Sequence, residues 1–379
     1  MSNYFYFDYA ATTPVDLDVK NHYFDALENK WFNLSSAHKN ELLLEFDNIK
    51  NSLASLFFPG SQANIIFTSG ATESINTIIK SFAISNKNKK ILTTAIEHKA
   101  TLDTLDFCKN FLKIDYEFIK TDKFGIIDID DLKNKLTENV GLVTFLAVHN
   151  ELGSIQPIKK AYQIVKEFDE NILFHVDGAQ LIGKSNIQDF IGFFDAISLS
   201  GHKFYAPKGI GMLGIKKNFK LLPLINGGRQ QNNLRSGTIN FPLISTFHFA
   251  LNKILNNFEE NFSKVKELNK YFLMQLETLN NKFSLNSDAK NSTPFIINCS
   301  ILGTKGEIIK NFLGDRKIYI STGSACSQNA KKNSILYKLN YKKDIAESSI
   351  RISLSHLTTK EEIDFLFENL EESLELFIF

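Results

Sequence analysis

The chain has 379 residues, 43 lysines and arginines against 42 aspartates and glutamates, and three cysteines, Cys108, Cys299 and Cys326. This length is ample for two or three domains, or one large α/β unit with an appendage, and excludes a mini-protein held by disulfides. A formal charge of +1 carries no basic stripe, which argues against nucleic acid or an anionic membrane as the main partner.

The odd, sparse cysteine set fits a reducing compartment. The opening run Met1 to Asp8 places no cationic segment before its apolar residues, and no stretch approaches about 18 uninterrupted apolar positions. A cytoplasmic protein with nothing to be cleaved is therefore expected. Between about residues 50 and 220, short apolar runs at 65–67, 91–93, 142–148, 172–176, 196–199 and 211–215 alternate with amphipathic stretches. The alternation predicts a largely parallel sheet covered on both faces, with function at the strand ends. Over 246–279 apolar residues recur at steps of three or four, predicting one long helix of ~34 residues and ~50 Å that runs from one domain into another. Beyond it, 295–301 reads as a strand, 306–313 as a helix, 350–354 as a strand, and 359–376 as a last helix opened by the capping box Thr359-Lys360-Glu361-Glu362. These make a second, smaller α+β domain. No repeat or low-complexity linker separates the two.

Three stretches at strand ends carry chemistry. Thr68-Ser69-Gly70-Ala71-Thr72-Glu73-Ser74 follows a strand and opens a helix, so its backbone N–H groups and the Thr72 hydroxyl form a phosphate cradle; read singly, it is an ordinary helix start. Asp177, followed by Gly178-Ala179-Gln180, ends a buried apolar run. A carboxylate there needs a positive partner, either a structural salt bridge or a protonated pyridine nitrogen. Ser200-Gly201-His202-Lys203 places a lysine just past another strand, where desolvation lowers its pKa as an imine-forming nucleophile needs; alone, it reads first as a surface lysine. Together, and in this chain order, the three describe a site for pyridoxal 5′-phosphate.

With these motifs, and with Phe7-Asp8-Tyr9-Ala10-Ala11-Thr12-Thr13-Pro14 at one end and Arg351 near the other, the chain resembles the cysteine desulfurases of the aminotransferase class V family, in the iron–sulfur-cluster and nitrogen-fixation branch. The resemblance covers nearly the full length. It implies an α/β fold of the aspartate aminotransferase-like type, fold type I of the pyridoxal phosphate enzymes. A large cofactor-binding domain would span 15–250, and a small domain, 1–14 with 251–379, would carry a nucleophilic cysteine loop. It further implies that Lys203 carries the cofactor and shuttles the substrate α-proton, that Asp177 keeps the pyridine nitrogen protonated, and that His98 stacks on the ring. Gln180 would contact the phenolic oxygen. Ala71, Thr72, Ser200 and His202 would hold the phosphate, joined by Thr238 from the other subunit of a homodimer. Asn150 and Arg351 match the residues expected at the cofactor and the substrate carboxylate, for which a planar guanidinium is suited. No metal is expected.

Cys326 selects the reaction. It lies in Ser321-Thr322-Gly323-Ser324-Ala325-Cys326-Ser327-Gln328, which has no helical or strand periodicity and mostly small residues, as an exposed loop bearing a nucleophilic thiol requires. Cys108 and Cys299 fall in apolar patterns and read as core thiols. The implied activity is a sulfurtransferase reaction: L-cysteine becomes L-alanine, and the sulfur is held as a persulfide on Cys326 for an acceptor protein in iron–sulfur-cluster or other sulfur-cofactor biosynthesis. The alternatives are a class V aminotransferase or selenocysteine lyase, and a non-catalytic scaffold. A nicotinamide dehydrogenase is disfavoured because no Gly-x-Gly-x-x-Gly turn follows the first strand. The chain departs from the family pattern at Phe32-Asn33-Leu34-Ser35-Ser36, which lacks a glycine and a proline, at Arg229, where a glycine is usual, at Gln231, where a glutamate is common, and at 329–339, which lacks a proline. It ends at Phe379, soon after the last helix, where scaffold-coupled members of the family carry a longer tail, so whether it docks to a cluster scaffold is left open.

Overall fold

The computed structural model describes residues 4–34, 39–279, 282–323 and 334–377. The chain begins with β1 (Phe5–Tyr6), α1 (Leu17–Asn29) and α2 (Lys39–Phe57). It then alternates through β2 (Ala63–Thr68), α3 (Ala71–Ser85), β3 (Lys90–Thr94), α4 (Lys99–Phe107), β4 (Tyr116–Ile119), α5 (Ile129–Lys135), β5 (Val140–Leu146), α6 (Ile158–Phe168) and β6 (Leu173–Asp177). Next come β7 (Ala196–Ser200) and β8 (Gly211–Lys216). These strands form a seven-stranded sheet of order β2-β8-β7-β6-β5-β3-β4. All neighbours in it are parallel except β8, which is antiparallel to both β2 and β7.

Strand residues feed alternately into two cores, as the period of two demands. Ile65 and Phe67 of β2, Leu92 of β3, and Val143 and Phe145 of β5 pack on one face, against residues of α2, α6 and α7. Ile66, Ile91 and Leu142 pack on the other, against α3 and α4. The predicted sheet, covered on both faces, is thus observed. β4 is absent from the sequence reading: it is a half-exposed edge strand paired only with β3, so it has no long apolar run.

The predicted long helix is two, α7 (Phe241–Asn256) and α8 (Phe258–Glu277), joined through Asn257 at φ −101°, ψ 14°. There the Asn257 amide side chain donates to the Lys253 carbonyl at 2.8 Å, in competition with the backbone N–H at 3.2 Å. Local side-chain bonding of this kind is what asparagine offers a chain in place of continued helix. Apolar periodicity runs straight through the kink because both helices keep their buried faces inward.

The rest is built on β9 (Phe283–Leu285), β10 (Ile296–Ile301), α9 (Gly306–Asp315), β11 (Ile318–Tyr319), β12 (Ser321–Thr322), two short turns of helix, β13 (Ser349–Ser353) and α10 (Lys360–Phe377). β12-β13-β10-β9 form an antiparallel sheet, and β1 pairs in parallel with β11. A third core joins Phe272, Ile297, Ile352 and Leu366 with Phe7 from the N-terminal segment. The capping box is made as predicted: Thr359 N–H donates to Glu362 Oε2 at 3.1 Å, and Glu362 N–H to Thr359 Oγ1 at 3.2 Å. One local correction concerns Ser321 and Thr322, read as loop but paired with Arg351 and Ile350 of β13. A two-residue strand is too short to leave a periodicity.

Candidate active site

The loops after β2, β3, β5, β6 and β7 converge beyond the carboxyl ends of their strands, where ligands bind in open α/β sheets. They line a cavity of about 540 Å³, within the roughly 300–1,000 Å³ usual for small-molecule sites. β2 hands over to α3 through Ser69 and Gly70. Gly70 caps α3 without a side-chain acceptor, so the first-turn N–H groups face the cavity unclaimed by any cap side chain. The turn is tied from below by Thr68 Oγ1 and Ser74 Oγ at 2.8 Å. Behind it Gly211 is required, because a Cβ there would lie 2.5 Å from Gly70 Cα and 2.6 Å from the Leu199 carbonyl oxygen.

β7 ends at Ser200, and one 3-10 turn, Gly201–Lys203, brings Lys203 to the cavity wall. Its Nζ donates to the carbonyls of Ala10 and Ala11 at 2.7 and 2.8 Å. Burial, then the nearby Arg351 cation, lower the Lys203 pKa to about 8, against the opposing pull of Asp177 and Asp8. The chain leaves this turn through Tyr205 at φ 67°, a left-handed conformation that a bulky side chain adopts only under constraint. The constraint is visible: Tyr205 N–H donates to Thr13 Oγ1 at 2.8 Å and its hydroxyl bonds Ser355 Oγ at 2.7 Å.

Asp177 ends β6, beside Leu146 of β5 and Ser198 of β7. It is buried, and its Oδ1 accepts the Ala179 N–H at 2.9 Å. Burial raises its pKa, with the His98 and Lys203 charges opposing. Gln180 Nε2 donates to the Ala10 carbonyl at 2.7 Å. His98 caps α4 by accepting the Ala100 N–H on Nδ1 at 3.1 Å, so any ring proton is carried on Nε2. His202 Nδ1 lies 3.1 Å from Thr12 Oγ1, and burial, then the Lys203 charge, lower its pKa to about 4. Arg351, in β13, donates through Nη1 to the Asn150 carbonyl at 2.9 Å and through Nη2 to Asp8 at 2.5 Å.

Ten of the residues singled out in the sequence meet in this one cavity: Ala71, Thr72, His98, Asn150, Asp177, Gln180, Ser200, His202, Lys203 and Arg351. Thr238 does not line it and is exposed. Cys326 lies outside the described residues, as do Ser35, Ser36 and 329–333 of the departures noted above. Cys108 and Cys299 are fully buried, and burial pushes their thiols up to about 11 and 12, as core cysteines. Sequence reasoning assigned no role to Asp8, the acidic partner of Arg351, or to the carbonyls of Ala10 and Ala11. It also passed over Glu97, buried beside His98. Glu97 accepts from Thr94 Oγ1 at 2.7 Å and Leu146 N–H at 2.9 Å, with its pKa raised by burial, then by Asp177, to about 8. The available signal was a lone acid within an apolar run.

These residues fit pyridoxal 5′-phosphate. The uncapped helix start with Ser200 and His202 suits a dianion, the buried Asp177 a ring cation, and the Lys203 amine an aldehyde. Gln180 Oε1 is buried with no hydrogen-bond partner among the described residues, an acceptor set for the cofactor's phenolic group. Fold and site together define a fold type I pyridoxal phosphate enzyme. The chain belongs to the aminotransferase class-V family, whose profile matches residues 5–366. It is 36% identical over 376 residues to the cysteine desulfurase IscS of Dictyoglomus turgidum, covering 98% of this chain and 94% of that protein. Among solved structures, a NifS-like protein superposes with a TM-score of 0.88 at 32% identity, covering 98% of this chain and 100% of that one. SspA in complex with cysteine superposes with a TM-score of 0.78 at 31% identity, covering 93% and 99%.

Proposed function

We infer that the chain is a pyridoxal phosphate-dependent L-cysteine desulfurase that passes the substrate sulfur through a persulfide on Cys326. The observation that carries this reading is a buried lysine amine with a lowered pKa, held in one cavity with a buried carboxylate and an uncapped helix start. The cofactor, when bound, supplies an electron sink for the pair left at the substrate Cα. Asp177 retains the proton on the ring nitrogen that this sink requires. Ala71, Thr72, Ser200 and His202 hold the phosphate, His98 covers the ring, and Gln180 faces the phenolic oxygen. Arg351, oriented by Asp8, takes the substrate carboxylate together with Asn150. Lys203, half neutral near pH 8, removes the Cα proton as general base and delivers it back to the carbon skeleton. The Cys326 thiolate attacks the substrate sulfur, and the Cβ–S bond breaks with its electron pair passing to carbon. One cysteine and one thiol thereby give one alanine and one persulfide, the carbon being reduced and the sulfur oxidised.

The reading includes a homodimer. Thr238, exposed and away from its own chain's cavity, would serve a partner's phosphate site, and the exposed Leu17, Phe24, Trp31 and Leu44 supply apolar surface for a second copy. It divides the chain into a large domain of 15–250 and a small domain of 1–14 with 251–379. It places the enzyme in a reducing, cytoplasmic setting, on the odd set of three cysteines, and its sulfur with an acceptor protein in iron–sulfur-cluster or other sulfur-cofactor assembly. No helix among the described residues is long and apolar enough to cross a membrane.

The test is Cys326→Ser. The variant should keep the cofactor's visible absorption and lose at least about 100-fold of its alanine formation from cysteine in the presence of a reductant. Mass spectrometry of the unaltered protein after cysteine treatment should find one added sulfur mapped to Cys326. Sulfide release by the variant at the unaltered rate would overturn the persulfide route. Rates with cysteine, selenocysteine and cysteine sulfinate separate the desulfurase from a selenocysteine lyase.

A further inference from the structure

Directly behind Lys203 lies a second lysine to which the reaction above gives no task. Lys184, in the loop after β6, is 4% exposed. Its Nζ donates to the backbone carbonyl of Lys203 at 2.9 Å. It pairs with no carboxylate among the described residues, and the one charge that bears on it is Lys203 itself. A void of about 10 Å³ separates the two lysines from Tyr9, Tyr205, Phe295 and His356, too small to hydrate an ammonium fully. The loop is pinned at this point, for the Lys184 carbonyl accepts the Thr293 hydroxyl at 2.5 Å. A buried charge without a counter-charge is costly, and a methionine would fill the same space without that cost.

We propose that Lys184 is a positioning residue for Lys203: its buried amino group holds the Lys203 peptide by the carbonyl and, when charged, favours the neutral state of the Lys203 nitrogen as a like charge close behind. This rests on the reading of Lys203 as the cofactor lysine. The charges that act on Lys203 are Asp177 from β6, Asp8 from the N-terminal segment and Arg351 from β13, while the Lys203 charge in turn acts on Lys184 and His202. The two carboxylates favour protonation of Lys203 and Arg351 opposes it; a coupling between two charges is mutual, so a charged Lys184 opposes it as well and its deletion moves the balance toward the protonated form. Burial, then Lys203, lower the pKa of Lys184 itself to about 7. It therefore holds part of its charge at neutral pH, beside the Lys203 charge that lowers it.

The experiment is a pH titration of the cofactor's visible absorption in the substrate-free holoenzyme, comparing the unaltered protein with Lys184→Met and Lys184→Gln. Glutamine can still donate to the Lys203 carbonyl but carries no charge. Both variants should raise the midpoint by about one pH unit. The rate at which apoprotein recombines with the cofactor, which needs a neutral Lys203 amine, should shift to higher pH by the same amount. A midpoint within about 0.3 units of the unaltered protein in either variant that retains the absorption band overturns the proposal; should the methionine variant not fold, the glutamine variant decides. An unaltered protein with no such band would instead overturn the desulfurase reading.

Discussion

Lys203 has an ordinary side chain in an uncommon place. Its amine is held by two carbonyls and is out of water, and burial, then the Arg351 cation, bring its pKa to about 8, within reach of neutral pH. Asp177 is the complementary case: burial raises its pKa, and a positive ring nitrogen would restore the charge that the protein alone does not neutralise. Asp177→Asn should therefore leave the fold intact but lower alanine formation per bound cofactor by about 10²-fold, the usual cost of one lost electrostatic stabiliser. A rate within a factor of three of the unaltered enzyme would exclude the ring-nitrogen role. Gln231 has a simpler account. Its amide accepts from Phe67 N–H at 2.7 Å and donates to the Phe67 carbonyl at 2.9 Å, closing the open edge of β2. A glutamate there could accept but, when ionised, not donate.

At the scale of elements, strand ends and helix starts do the positioning. The proposed phosphate cradle rests on a close approach between the start of α3 and β8, possible because residue 211 has no Cβ. Gly211→Ala should lower stability by about 1–3 kcal/mol, as overpacking does, and weaken cofactor binding by displacing Gly70. Denaturant midpoints and cofactor titration read the two effects separately; unchanged values for both would show that the contact yields without cost. The kink at Asn257 has a comparable function. It lets α7 close the large core with Phe247 and Leu251 while α8 closes the small one with Val265 and Phe272.

Across the whole molecule, the N-terminal segment is the strap between sheets. Phe7 sits in the small core, Asp8 holds Arg351, Ala10 and Ala11 hold Lys203, and Thr13 fixes the turn after it. Three histidines, His149, His175 and His202, are kept neutral inside, with pKa values lowered chiefly by burial to about 4, 3 and 4. Because the unfolded chain binds these protons more readily, their stabilising contribution is complete above about pH 6.5 and is lost as pH falls toward about 4. The melting temperature should fall across that window. His175→Gln, which removes the group with bonds to Thr144 Oγ1 and Ser198 Oγ, should flatten the slope; an identical slope would remove His175 from the acid response. Glu97, raised to about 8, acts oppositely between about pH 4.5 and 8.

Much of this was legible in the chain itself. Buried strands are contiguous apolar runs, and the residues that follow them, Ser69 to Thr72, His98, Asn150, Asp177 and Lys203, lie at strand ends whatever the rest of the chain does. That is local information, because burial of neighbouring residues in one element leaves its mark in neighbouring positions. The tertiary structure alone decided the pairings between distant positions. Asp8 meets Arg351 across 343 positions, Lys184 sits behind Lys203, the carbonyls of Ala10 and Ala11 receive an amine, and β8 runs against its neighbours. No period or motif encodes these. They arise from how finished elements pack, where the cost of an unpaired buried charge or carbonyl selects the partner.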